Sequence, residues 1–356
     1  MKNNPVKVLI NILIIIIVLF IVLFFSLKDD YRSILLSIHN MKVIYVVFAL
    51  ILLCCYRAFA SLAHYLLIKQ NKMKVPFLRM FQINFIILFF HGVTPFAGGG
   101  QPMEVYFLHK EGIPVTKATN ITLQNFIVYQ ISLVLMGVIA IIYNLCFNLF
   151  PSDHLIKKLV ILGFIINVFV LIVTYIISFG EKINKFILEK GIHFISMLGL
   201  IKNEKETQEK FKGYITKFHS SAVALEHKKY KFILYVLINM LGLVCLYSMP
   251  FVVARGLGVH LSIMESIVAT AYVMIIGSFV PIPGGTGGIE YGFMFFYSYF
   301  IHGSILNAIM LVWRFASYYM GMIFGAIALA LYRRGERDAN RNIHWYIHTI
   351  YKWCNN

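Results

Sequence analysis

Val93-Thr-Pro-Phe-Ala-Gly98-Gly99-Gly100-Gln-Pro-Met-Glu104 interrupts a strongly apolar stretch, and Val280-Pro-Ile-Pro-Gly284-Gly285-Thr-Gly287-Gly288-Ile-Glu290 interrupts another. Helix breakers and a carboxylate are tolerated at membrane depth only where the fold has a use for them. The two glutamates lie 186 residues apart, and at that offset Pro95 falls on Pro281, Gly98 on Gly284 and Gly99 on Gly285. Breaks at matched positions in two halves are the pattern of a duplicated, transporter-like membrane fold.

The surrounding composition agrees. Of 356 residues, 60% are hydrophobic and 13% charged, with a mean hydropathy of +0.78. Helices apolar on every face need lipid around them, which excludes a pair of soluble domains and implies an all-α polytopic membrane protein. The runs Val8–Leu27, Val43–Ile68, Lys117–Ile142, Leu155–Ser178, Tyr230–Ala254 and Ser304–Tyr332 are each long enough to span. The first has no small-residue cleavage site and reads as a retained span.

The broken regions, 77–112 and 261–301, have arms mostly too short to cross. Phe77–Phe90 and Ile289–Ile301 each reach only about 20 Å as helices, and Met103–Glu111 about 13 Å. Ser262–Val280 is the one arm that just reaches across. Both regions are therefore expected to be re-entrant hairpins with Gly-rich tips near the midplane.

The net charge of +17 lies mostly between apolar runs rather than in a nucleic-acid-binding patch. With the N-terminus inside, 24 basic residues fall on the cytoplasmic side and six outside, while Arg57 and Arg314 lie within spans. That bias predicts both termini inside. The expected order is span, span, hairpin, span in each half, an inverted repeat over 1–150 and 151–332. The second half carries a basic amphipathic insertion at 180–229, suited to the inner membrane surface or to the cytoplasmic ends of the bundle. Residues 333–356 form a basic aromatic tail that includes Trp345, Tyr346, Tyr351 and Trp353.

Several side chains are candidates for a substrate path. Glu104 and Glu290 follow the breaks, where a carboxylate either caps free N–H groups or binds a cationic group. Arg57 and Arg314 need partners, and the two glutamates are the obvious ones. Such pairs either fix helix packing or offer a guanidinium to a lipid phosphate. Gln101 stands beside the first break. Asn120, Thr122, Gln124, Asn125, Tyr129 and Gln130 make the third full span unusually polar, as helix–helix glue or as the lining of a wet path. The breaks themselves rest on Pro95, Gly98, Gly99, Gly100, Pro281, Pro283, Gly284, Gly285, Gly287 and Gly288.

No cofactor, metal or nucleophilic site is expected. The glycine clusters lack GK[ST] and follow helices, the five cysteines have no metal spacing, and His344 and His348 sit among interfacial aromatics.

At Thr94 to Tyr106, at Pro281 to Glu290 and at Trp313-Arg314, the chain resembles the membrane domain of the lysylphosphatidylglycerol synthases, the multiple peptide resistance factor family. The resemblance covers essentially the whole chain. It implies a flippase-like translocase for aminoacylated phosphatidylglycerol in the bacterial cytoplasmic membrane, protecting against cationic antimicrobial peptides. The partners implied are anionic or aminoacylated phospholipids, with a homo-oligomer allowed. Full-length members add a soluble domain that transfers lysine from charged tRNA. The residues here end about two dozen positions after the last span, so that transfer is expected to need a separate synthase chain. The alternatives are a phosphatidylglycerol lysyltransferase or its membrane subunit, and a carrier of a polyprenyl-phosphate lipid.

Overall fold

The computed structural model describes residues 38–94, 98–150, 154–180, 229–277 and 287–332, with Leu36, Phe186, Lys190 and Gly285 as isolated positions. The expected first span, the insertion and the tail lie outside them, as do Pro95, Pro281, Pro283 and Gly284. All described secondary structure is helical.

Helix α1, Val43–Gln70, has no proline or glycine in 28 residues and closes on a turn. There the Asn71 amide donates to Leu67 O at 2.9 Å and Lys72 adopts φ 57°. Pro76, with φ −60°, then opens α2, Phe77–Val93. After the first break, α3 (Gly100–Lys110) stops before Gly112 at φ +88°, and Pro114 starts α4 (Val115–Phe147, 33 residues). Helix α5 runs over His154–Phe179.

The expected fifth span is two helices rather than one: α6 (Lys229–Tyr247) and α7 (Met249–Gly256), parted at Ser248. Pro250, in the first turn of α7, has no N–H for an unbroken ladder. Helices α8 (Ile263–Gly277) and α9 (Gly288–Tyr297) flank the second break. The last element, α10 (Ser304–Arg314), passes through a π turn, Phe315–Tyr319, and stays helical to Tyr332.

Among the described residues, four helical stretches are long and apolar enough to cross a membrane: Val43–Gln70, Val115–Phe147, Tyr230–Gly256 and Ser304–Tyr332. Helix α5 adds 26 residues with an apolar middle at Val160–Ile176. The arms beside the breaks are short. At ~1.5 Å per residue, α2 reaches about 26 Å, α3 about 17 Å, α8 about 23 Å and α9 about 15 Å.

The helices bury polar as well as apolar side chains, and they expose apolar ones. Val43, Val47 and Ile51 on α1, Leu135, Ile139 and Ile142 on α4, and Leu234, Leu237 and Leu241 on α6 are exposed at helical spacing. Such stripes suit lipid tails. The chain is a multi-pass membrane protein.

Packing brings the short arms inside. Helices α1 and α6 lie along each other; α2 packs on α1 and α3, and α3 on α4; α8 packs on α6 and α9, and α9 on α10. Each first arm also meets a long helix distant in sequence. A Cβ at Gly163 on α5 would come within 3.0 Å of Ile275 O on α8. The last helix approaches α2 so closely that a Cβ at Gly325 would overlap the Phe85 carbonyl. Small residues allow this contact of backbones.

Candidate functional site at the two helix breaks

The first break is pinned by a side chain. Thr94 Oγ1 donates to Phe90 O at 2.7 Å and accepts from the Gly99 N–H at 2.8 Å. It thus ties the end of α2 to the start of α3. Gly100, the first residue of α3, lies so close to the His91 ring that a Cβ there would overlap it.

Glu104 is the fifth residue of α3, one turn past the cap, and is 5% exposed. Its neighbour is His64 of α1, which is fully buried. His64 Nε2 stands 3.0 Å from Glu104 Oε1. The two atoms are in contact without hydrogen-bond alignment, and His64 Nδ1 also lacks a partner among the described residues.

The second break is built differently. Gly287 has φ +88°, a conformation that costs a side-chain-bearing residue about 1–2 kcal/mol. It caps α9, so Glu290 is the third residue of that helix. From there Glu290 Oε2 reaches back to accept the Gly287 N–H at 2.7 Å. Its Oε1 accepts from Arg314 Nε at 2.6 Å. Capping and charge pairing, alternatives in the sequence, are both satisfied by this one carboxylate.

Arg314 is also the link between the breaks. Its guanidinium lies 4.7 Å from the centre of the Tyr318 ring, in the π turn. The Tyr318 hydroxyl donates to Gly92 O at 2.8 Å, two residues before Thr94. Glu290, Arg314, Tyr318 and the end of α2 therefore form one connected chain across the molecule.

Arg57 is not paired with either glutamate. Its guanidinium sits 4.3 Å from the centre of the Tyr56 ring and within electrostatic reach of Tyr129 on α4. Its Nε is buried with no hydrogen-bond partner among the described residues. Of the two glutamates expected as partners for the arginines, Glu290 meets Arg314, while Glu104 meets α1 two turns beyond Arg57, at His64. Arg57, Ser61 and His64 follow each other at i, i+4 and i+7 on one face of α1, with Ser61 donating to Arg57 O at 2.6 Å.

The polar face of α4 divides. Gln130 Nε2 donates to Asn167 Oδ1 at 3.0 Å, and Asn167 Nδ2 donates to Ile275 O at 3.1 Å. Ser132 donates to Val236 O at 3.1 Å. These bonds join α4, α5, α6 and α8, and they are glue. Nearer the start of α4, the Gln124 amide donates to Asn120 Oδ1. Thr122 Oγ1 and Gln124 Oε1 are buried without partners. Gln101 is partly buried beside Glu104's helix start.

His64 is the residue that the sequence reading passed over. The available signal was its spacing from Arg57, since both fall on one face of a single apolar helix.

A multi-helix membrane protein with short, broken arms and buried charges at the breaks is the class that fold and site define. The chain matches the family model "Lysylphosphatidylglycerol synthase TM region" over residues 8–325 and belongs to that family. It is also similar to a UPF0104 membrane protein of Archaeoglobus fulgidus. The two are 24% identical over 264 residues, 72% of this chain and 76% of the relative.

Proposed function

We propose that this chain translocates phospholipid headgroups between leaflets, with aminoacylated phosphatidylglycerol, lysyl-phosphatidylglycerol first, as its substrate class. Membership of a lipid-related membrane family supports the membrane-lipid part of the reading. The observation that carries the rest is the pair of carboxylates, Glu104 and Glu290, buried at breaks flanked by helices too short to span. Burying charge in this way is costly unless it serves a polar path.

An inverted repeat fits the packing. At the 186-residue offset α1 corresponds to α6, α2 to α8, α3 to α9, and α4 to the last helix. The neighbour pairs α1–α2, α2–α3 and α3–α4 then recur as α6–α8, α8–α9 and α9–α10. Re-entrant hairpins opening from opposite sides, with both termini cytoplasmic, follow from that repeat and from the charge bias.

In this reading Arg57 takes the lipid phosphate. Its buried, unpartnered Nε gains an acceptor when a phosphate oxygen arrives. Glu104 takes the lysyl ammonium, because its present contact with His64 lacks hydrogen-bond alignment. Glu290, already holding Arg314 and Gly287, keeps the second break in shape. The acyl tails stay in lipid while the headgroup passes the breaks. In a bacterial cytoplasmic membrane such an activity would supply cationic lipid to the outer leaflet, the lipid itself coming from a synthase chain.

The test is reconstitution of the full chain in vesicles with labelled lysyl-phosphatidylglycerol. Flipping above empty vesicles is expected, with loss in Arg57→Gln and in the Glu104→Gln/Glu290→Gln double variant. Flipping no faster than in empty vesicles, or full activity in the double variant, sinks the reading.

A further inference from the structure

We infer that His64 and Glu104 form a proton-binding site that trades one proton for the cationic end of the headgroup. Lipid movement is thereby coupled to proton movement. The inference rests on the headgroup reading above and adds its exchange partner.

The argument begins with charge. When the imidazole and carboxylate hold one exchangeable proton between them, the pair is neutral whichever group carries it. Without that proton it is a net negative charge between a fully buried histidine and a glutamate 5% exposed. A desolvated charge of this kind demands compensation. Glu104 has no ion pair but His64, and His64 none but Glu104, among the described residues. Either a proton or an ammonium group supplies the missing charge, but both together overfill the site. Occupation by the cationic headgroup therefore expels the proton to water, and departure of the headgroup recovers it. Charge balances at each step: one positive charge enters as one leaves.

Geometry makes the exchange possible. Nε2 and Oε1 touch at 3.0 Å without alignment, so no directed bond must be broken for a donor to insert. Imidazole is the side chain suited to exchanging a proton near neutral pH. The two groups belong to different elements, the long α1 and the short arm α3, so their separation tracks the position of the hairpin.

Among the described residues, no other titratable group of the packed helices forms an ion pair with His64 or Glu104. On α1 itself, Arg57 stands about 10 Å away along the axis. Helix α2 brings His91 against Gly100. Helix α3 carries Tyr106, His109 and Lys110 beyond Glu104, α4 contributes Lys117 and Tyr129, and α6 contributes Tyr230, Lys231 and Tyr235. Tyr235 is engaged with Gln70 Oε1 at 2.5 Å.

The second break is the internal control. Its carboxylate is paired with a guanidinium, which does not give up its proton in proteins. That pair is neutral without an exchangeable proton.

Two measurements on the purified full chain test the inference. The first needs no lipid substrate: nitrogen-15 histidine spectra and infrared carboxyl bands are followed over about pH 5–8. The expected result is a single protonation step sensed by both groups, with the imidazole signal altered in Glu104→Gln and the carboxyl band altered in His64→Gln. A wild-type pair that changes protonation nowhere in that range overturns the proton site.

The second measurement adds lysyl-phosphatidylglycerol, or phosphatidylglycerol as the control, to weakly buffered micelles containing a pH dye. Release of one proton per chain is expected with the lysyl lipid, none with the control, and none in either variant. Lysyl-lipid binding without proton release overturns the exchange alone. Failure of the lysyl lipid to bind overturns the exchange together with the headgroup reading.

Discussion

The two breaks share glycines, a proline and a glutamate at one offset, yet they solve the same electrostatic problem differently. At the second, helix α9 begins at Gly288, two residues before Glu290. At the first, helix α3 begins at Gly100, four residues before Glu104. Those two extra residues carry Glu104 past the free N–H groups of its own helix start. Thr94 Oγ1 takes over the turn that Glu290 closes for itself. The countercharges are not duplicated either: Arg314 comes from the last helix, but His64 comes from α1. A pattern of glycine, proline and glutamate matched at one sequence offset thus carries one carboxylate paired with a guanidinium and one beside an imidazole.

Removing the guanidinium partner is expected to have the largest effect. In Arg314→Met, Glu290 keeps, among the described residues, only the Gly287 N–H and becomes an uncompensated buried charge. Breaking a buried pair from one side costs about 3–5 kcal/mol, whereas replacing both members by apolar residues is often close to neutral. Thermal unfolding in detergent should show a large fall for Arg314→Met and substantial recovery in Arg314→Met/Glu290→Met. If the single and double variants fall equally, the pair is not what holds this break.

Backbone comes next. Gly287→Ala places a Cβ at φ +88°, with an expected loss of about 1–2 kcal/mol. Among the described residues no atom lies within 4 Å of that Cβ, so the loss would report conformation and not crowding. Stability unchanged from wild type would show that the cap can relax out of the left-handed region. At the first break the matching experiment is Thr94→Val, which keeps the shape and removes both hydroxyl bonds. The expected cost is about 1 kcal/mol, the net value of a typical hydrogen bond. A proteolysis or unfolding assay that shows no change would mean the first break is held elsewhere.

The parts of this asymmetry legible in the sequence are those set by composition. Apolar runs give the long helices, Gly and Pro clusters give the breaks, and the short arms follow from the distance between breakers. Arg314 and Glu290 stand out because charge is rare in such surroundings. The division of the fifth span at Ser248 had a signal in Pro250. The π turn Phe315–Tyr319 had none in residue type, since a shift from i+4 to i+5 bonding depends on what packs around it. There Tyr318 reaches Gly92, a partner 226 residues away. His64 was hidden for a similar reason. A single histidine in an apolar helix is an ordinary core residue until a carboxylate from another element is placed beside it. The two-residue difference in helix starts is invisible to an offset that aligns only glycines and glutamates.

The smallest expected effect on stability separates the two carboxylates most sharply. Glu104→Gln keeps the size of the side chain and replaces an unaligned charge contact with a neutral amide beside a neutral imidazole. No guanidinium is orphaned there, because the neighbour of Glu104 is an imidazole, so the change should stay within about 1 kcal/mol. Glu290→Gln cannot behave in this way: Arg314 stays charged and loses its carboxylate, so the cost should approach that of Arg314→Met. Paired unfolding curves for the two glutamine variants check this, and equal losses would erase the asymmetry drawn here. With stability preserved, Glu104→Gln also becomes the informative variant for transport, because lost lysyl-lipid flipping in a chain of near-normal stability would belong to the headgroup path and not to the fold.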